Sequence, residues 1–149
     1  MKWRGSNPDT EQVQPATLAE RLAEIDGLVD SLIGADKMEP PRRAVRELIA
    51  SGLPARALKS GDRAPDFTLI DANGRDFVLA ERLATGPAVL VFFRGRWCPY
   101  CIAQLEELER VRPELEQLGA TLCALSPQKP QHTGFTAEQH HLRFPVLND

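Results

Sequence analysis

The chain has 149 residues, of which 42% are hydrophobic and 26% charged, and its formal net charge is -3. A chain of this length buries about 68–70% of its unfolded surface in one core. Its charge balance argues against nucleic-acid or membrane-surface binding. No stretch reaches the roughly 20 apolar residues of a membrane helix, and "MKWRGSNPDTEQVQPATLAE" lacks the apolar centre of a signal peptide, so a cytoplasmic location is expected.

Residues 1–16 are polar and contain Pro8 and Pro15, which reads as a loose tail. Thr17 with Glu20 forms a capping-box signature, and Leu18, Leu22, Ile25, Val29 and Leu32 follow at helical spacing until Gly34. A second helix is expected from Pro41, with Val45, Leu48 and Ile49 on one face, stopping at Gly52. Residues 1–60 are therefore a tail and helical extension ahead of a unit spanning 61–149.

From Gly61 the pattern turns to short β segments. "DFTLI" and "DFVLA" flank "DANG", and Asn73-Gly74 predicts a hairpin closed by a type I′ turn. Ala88 to Phe93 is a continuous apolar run, as expected of a strand covered on both faces, and Phe92 and Phe93 both read as core. From Cys101 to Leu118 apolar residues recur every three or four, an amphipathic helix in which Pro113 should place a kink. Ala120 to Leu125 is a second buried strand, which completes a βαβ unit with parallel strands. A short helix near Thr136 to His141 and a strand around Pro145 to Leu147 follow.

The chemistry concentrates in "VFFRGRWCPYC", residues 91–101. Three cysteines are too few to staple a secreted fold, and a C-x-x-C beside a βαβ pattern is a redox signal or half of a metal site. Cys98 falls at the end of a parallel strand and the start of the next helix, where free N–H groups and the helix dipole favour an anion. A free thiol with pKa near 8.5 is only about 3% thiolate at pH 7. Bringing it to about 6.5, roughly three-quarters thiolate, takes about 2.7 kcal/mol. The dipole contributes about 0.3–1 and at most about 2 kcal/mol, so Arg94 and Arg96 are the candidates for the rest; the alternative is that they are ordinary surface charges. Pro99 suits the first helical position. The spacing puts Cys101 on the same helical face as Cys98. Cys98, taken as nearer the exposed end, is the expected attacking nucleophile and Cys101 the resolving thiol. Trp97 and Tyr100 shape a substrate rim or serve packing.

The bland readings are a structural Cys pair and a zinc site. Zinc lacks a second half, because Cys123 lies mid-strand and His132, His140 and His141 repeat no finger spacing. Cys123 reads as a small buried hydrophobe, and the adjacent His140 and His141 as solvated surface residues.

Taken in order, "GDRAPDFTLIDANGRDFVL", "PAVLVFFRGRWCPYC", "TLCALSPQ" and "FPVLND" resemble the AhpC/TSA peroxiredoxin superfamily, in its branch with R-G-x-W-C-P-Y-C. The resemblance runs from about Ala44 and includes "ELIASG". It implies a thioredoxin-like α/β fold, a three-layer α/β/α arrangement with an N-terminal β-hairpin and a βαβ core. It also implies reduction of hydrogen peroxide or organic hydroperoxides through a sulfenic acid at Cys98, resolved by Cys101. Electrons would return from a thioredoxin-like or other dithiol reductant, and neither metal nor organic cofactor is implied.

Typical members carry Thr or Ser three residues before the reactive cysteine and Pro seven before it, where this chain has Gly95 and Val91. They also continue past "FPVLND" with further elements and an arginine that assists the thiolate, so the thioredoxin-like unit over 61–149 is expected to be incomplete. An open strand edge would then invite homodimerisation or aggregation. The alternatives are a thioredoxin-type thiol-disulfide oxidoreductase, which WCPYC also resembles, and a non-catalytic redox-sensing, metal-holding or remnant domain.

Overall fold

A computed structural model describes residues 16–33 and 35–149. The tail expected over 1–16, apart from Ala16, and the stop at Gly34 lie outside the described residues. Helix α1 (Leu18–Ile33) opens on the anticipated capping box, with Thr17 N donating to Glu20 Oε2 at 2.7 Å and Glu20 N donating to Thr17 Oγ1 at 3.3 Å.

Helix α2 (Ala35–Ala50) starts earlier than Pro41 and carries Pro40 and Pro41 inside it. Proline's fixed φ is helical, and this stretch is exposed, so carbonyls left without a donor face water. A single turn, α3 (Leu53–Arg56), follows.

Strands β1 (Thr68–Ile70) and β2 (Asp76–Val78) pair antiparallel, as expected, but the turn is not type I′. Only Gly74, at φ 77°, has positive φ there. Asp71 builds the bend instead: its carbonyl accepts Gly74 N at 3.0 Å, and its Oδ1 accepts Asn73 N at 2.8 Å and Arg75 N at 2.9 Å. An aspartate that bonds its own downstream backbone replaces the second left-handed residue. "DFVLA" also breaks earlier than expected. Leu79 begins helix α4 (Leu79–Thr85), because Asp66 Oδ1 accepts Ala80 N at 3.0 Å and so satisfies a free N–H at the helix start.

Strands β3 (Ala88–Phe92), β4 (Thr121–Ser126) and β5 (Val146–Asn148) form one sheet in the order β3-β4-β5, with both pairings parallel. Helix α5 (Pro99–Gln117) joins β3 to β4, and α6 (Pro130–Gln139), six residues earlier than expected at its start, joins β4 to β5. Helix α5 runs on through Pro113.

Alternation along the strands divides the core. Leu122, Ala124, Val146 and Phe93 pack with Leu105, Ile102 and Leu108 of α5 on one face. Cys123, Leu125 and Leu147 pack with Phe77 and Leu69 of the hairpin and Leu79 of α4 on the other. Burial on both faces explains the unbroken apolar runs. Phe92 departs from the expectation: Phe93 is buried, whereas Phe92 is 71% exposed. It ends β3, an edge strand of this sheet, and points to the face of Leu90 beyond the cover of the hairpin.

Candidate active site: a dithiol at the start of helix α5

The site is assembled by the turn between β3 and α5. Phe93 N still bonds Leu125 O at 3.0 Å, as if β3 continued, and Cys98 N then donates to Gly95 O at 3.1 Å to close a tight turn. That turn makes Cys98 the N-cap of α5, with extended backbone at φ -95° and ψ 104° and Pro99 at the first helical position. Proline costs nothing there, since its missing N–H would have had no partner inside the helix. The N-cap side chain normally offers an oxygen to an N–H of the first turn. Here the Cys98 sulfur takes that role, accepting Cys101 N at 3.3 Å.

A second donor reaches the same atom. Arg94 Nη2 lies 2.9 Å from Cys98 Sγ, and this bond holds the guanidinium proton more tightly than in a free arginine. The same guanidinium lies over the Trp97 ring, with Cζ 5.0 Å from the ring centroid. Hydrogen bonds to sulfur strengthen when the sulfur is anionic, so a cation and a helix-terminal N–H converging on one atom serve a thiolate better than a thiol. Cys101 is in the opposite situation: burial first, then its contact with Cys98, push its thiol upward. Cys123 is fully buried in β4, and burial pushes its thiol to about 12.

The predicted residues separate under this geometry. Cys98, Cys101, Arg94 and Trp97 come together, and Pro99 sits where expected. Arg96 does not join them: its guanidinium stacks on Phe135 of α6, 5.4 Å from the ring centroid, and its backbone N donates to Gln128 Oε1 at 3.1 Å. Tyr100 likewise leaves the thiols, its hydroxyl donating to Asp26 Oδ1 of α1 at 2.9 Å. The expectation that Cys98 is the more exposed thiol is reversed. Cys98 is 0% exposed, whereas Cys101 is half-buried. Two polar groups nonetheless reach the buried sulfur, Arg94 Nη2 at 2.9 Å and Cys101 N at 3.3 Å.

Sequence reasoning missed the brace behind this helix. Glu106 of α5 accepts Arg21 Nη2 of α1 at 2.6 Å, and its other oxygen lies 2.9 Å from His140 Nδ1 at the end of α6. His140 is therefore partnered rather than solvated, with a side chain 17% exposed, while His141 is exposed. These partners lie 85 and 34 residues from Glu106, so no local pattern announces them.

A parallel β3-α5-β4 unit with two thiols at the helix start defines a dithiol protein of thioredoxin-like fold. The chain belongs to the AhpC/TSA family, whose profile matches residues 60–149. Over 93 residues it is 34% identical to peroxiredoxin Bcp of Escherichia coli, the match covering 62% of this chain and 58% of that protein. Over 94 residues it is 30% identical to the thiol-disulfide oxidoreductase ResA of Geobacillus thermodenitrificans, covering 62% of this chain and 53% of that protein. The structure is similar to that of peroxidoxin BcpB from Mycobacterium tuberculosis, with a TM-score of 0.57 and 26% identity over 59% of this chain and 57% of that one. A thioredoxin-family thiol:disulfide interchange protein from Chlorobium tepidum shares the fold, with a TM-score of 0.51 and 20% identity over 58% of this chain and 59% of that one. The chain thus spans little more than half the length of the curated relatives it matches.

Proposed function

We propose that residues 61–149 act as a thiol peroxidase, with Cys98 as the reacting and Cys101 as the resolving thiol, and that 1–60 is an extension whose α1 braces α5. The observation that carries this reading is the pair of donors on one sulfur, Arg94 Nη2 at 2.9 Å and Cys101 N at 3.3 Å, with a second thiol one turn away. The Cys98 thiolate attacks the terminal oxygen of a hydroperoxide. A sulfur–oxygen bond forms, the oxygen–oxygen bond breaks, and the alcohol or water leaves with a proton. The resulting sulfenic acid condenses with the Cys101 thiol, giving a Cys98–Cys101 disulfide and water.

Cys101 holding its proton suits this division, since a resolving thiol need not be anionic before the sulfenic acid forms. A thioredoxin-like dithiol would return the two electrons. A cytoplasmic location fits such a partner, and among the described residues no helix is long and apolar enough to cross a membrane.

Intact-mass measurement of the reduced protein mixed with one equivalent of hydrogen peroxide tests the proposal. The expected result is loss of two hydrogens, and in Cys101→Ser a one-oxygen adduct instead. A reaction no faster than that of free cysteine would reject it.

A second reading, a thiol-disulfide oxidoreductase, is favoured by the match to ResA and by the half-exposed Cys101. Catalysed precipitation of insulin in dithiothreitol, without peroxide turnover, would select it.

A further inference from the structure

We infer that Trp97 is a positioning residue whose ring face holds the Arg94 guanidinium against the Cys98 sulfur, in a space that Gly95 leaves open. The inference rests on Cys98 being the reacting thiol. Arg94 is exposed, and among the described residues its guanidinium enters no ion pair with a carboxylate. It touches the Cys98 sulfur at 2.9 Å and the indole at 5.0 Å from the ring centroid, and Cys101 also bears on it. A guanidinium over an indole face is attracted by the ring quadrupole.

Trp97 is not placed by core packing, because it is 67% exposed. Its seat is made by Gly95, whose φ is 142° and where a Cβ would come within 2.9 Å of Trp97 Nε1 and 3.1 Å of Cδ1. Arg96, two residues on, shows what a different aromatic does: Phe135 draws its guanidinium to α6. Arg94 and Cys101 donate to the sulfur, while Tyr100, its hydroxyl turned to Asp26 of α1, acts on it only through space; of these, Arg94 is the one stacked on Trp97.

The test is a thiolate titration by absorbance near 240 nm. The background is Cys101→Ser/Cys123→Ser, with the matching Cys98→Ser protein subtracted, so that one sulfur is read without needing reagent access. Trp97→Ala should move the midpoint upward, leaving about three-fold less thiolate at pH well below it, as expected for loss of one exposed cation–π contact. Trp97→Phe, which keeps a ring face, should restore the wild-type midpoint, whereas Trp97→Leu, which keeps bulk without a face, should not. In an Arg94→Gln background Trp97→Ala should add nothing.

An unmoved midpoint in Trp97→Ala, an equal midpoint for the Phe and Leu variants, or the same shift without Arg94 would overturn the inference. If the Ala variant fails to fold, the Phe and Leu pair decides. A protein inert to peroxide whose titration still responds this way would remove the peroxidase reading and leave the positioning role intact.

Discussion

Gly95→Ala concentrates the physics of the site in one methyl group. The backbone at this position has φ 142°, a region L residues rarely adopt, and the residue is buried. Holding a non-glycine residue there costs about 1–3 kcal/mol. The added Cβ also meets Trp97 Nε1 at 2.9 Å and Gln128 Oε1 at 3.2 Å.

The two neighbours yield unequally. Gln128 is anchored, accepting Arg96 N at 3.1 Å and donating to Thr136 Oγ1 at 3.3 Å, whereas Trp97 is mostly in solvent. The indole is therefore the group that moves, and the steric part of the clash is relieved at little cost to stability. What remains is backbone strain of about 2 kcal/mol, which at about 2–4 °C per kcal/mol for a domain of this size lowers Tm by about 4–8 °C. Thermal unfolding followed by circular dichroism reads the loss, and the same loss should persist in Gly95→Ala/Trp97→Ala because the strain does not depend on the ring. A Tm within one or two degrees of wild type would refute the strain argument, and a Tm fully restored in the double variant would assign the whole cost to the indole instead.

Glu106 is held below the usual carboxylate range by its hydrogen bond with His140 and then by Arg21, against a desolvation that works the other way. A carboxyl depressed on folding contributes stability that is present above its unfolded value near 4.3 and is lost as pH falls through the lower folded value. Glu106→Gln should thus cost about 1 kcal/mol or less at pH 7, its side chain being 37% exposed, and the gap in urea midpoints should close as pH is lowered toward about 2; a gap independent of pH would contradict the assignment. Cys123→Ala should leave peroxide oxidation unchanged and cost about 1 kcal/mol for the small void, and in the native protein the Cys123 thiol should resist Ellman's reagent at pH 8 until denaturant is added. Tyr100→Phe removes the hydroxyl that donates to Asp26 at an exposed site, worth about 0.5 kcal/mol, so backbone amides of residues 18–33 should exchange about two-fold faster by mass spectrometry; unchanged exchange would show that this bond does not hold α1 on α5.

The parts of this molecule that could be read from the sequence are those set by local rules. The capping box at Thr17 and Glu20, the two-sided strands at Val89 and Leu122, and the proline-started helix after Cys98 each follow from a few neighbouring residues. What escaped depends on partners distant in the chain. Leu79 and Ala80, expected to stay in the strand, instead open helix α4, where Asp66, 14 residues from Ala80, accepts a free N–H. The tight turn took a shape chosen by the Asp71 carboxylate rather than by Asn73-Gly74. At the site, the sequence offered both Arg94 and Arg96 as cations, and it held no sign that one would lie over Trp97 beside the sulfur and the other over Phe135 of α6. The burial of Cys98 carried no signal, since its place at the start of the helix pointed to the exposed end.

A sulfur that serves as the cap of its own helix links oxidation state to local structure. Both bonds that end on Cys98 Sγ are made to the reduced atom, and joining that atom to Cys101 withdraws lone-pair density and negative charge from each of them. Reduction should therefore tighten the opening turn of α5 and oxidation should loosen it. Interactions that favour the dithiol over the disulfide also make the couple more oxidising. The protein would then hand its disulfide readily to an electron donor, and the returning electrons would re-form the cap.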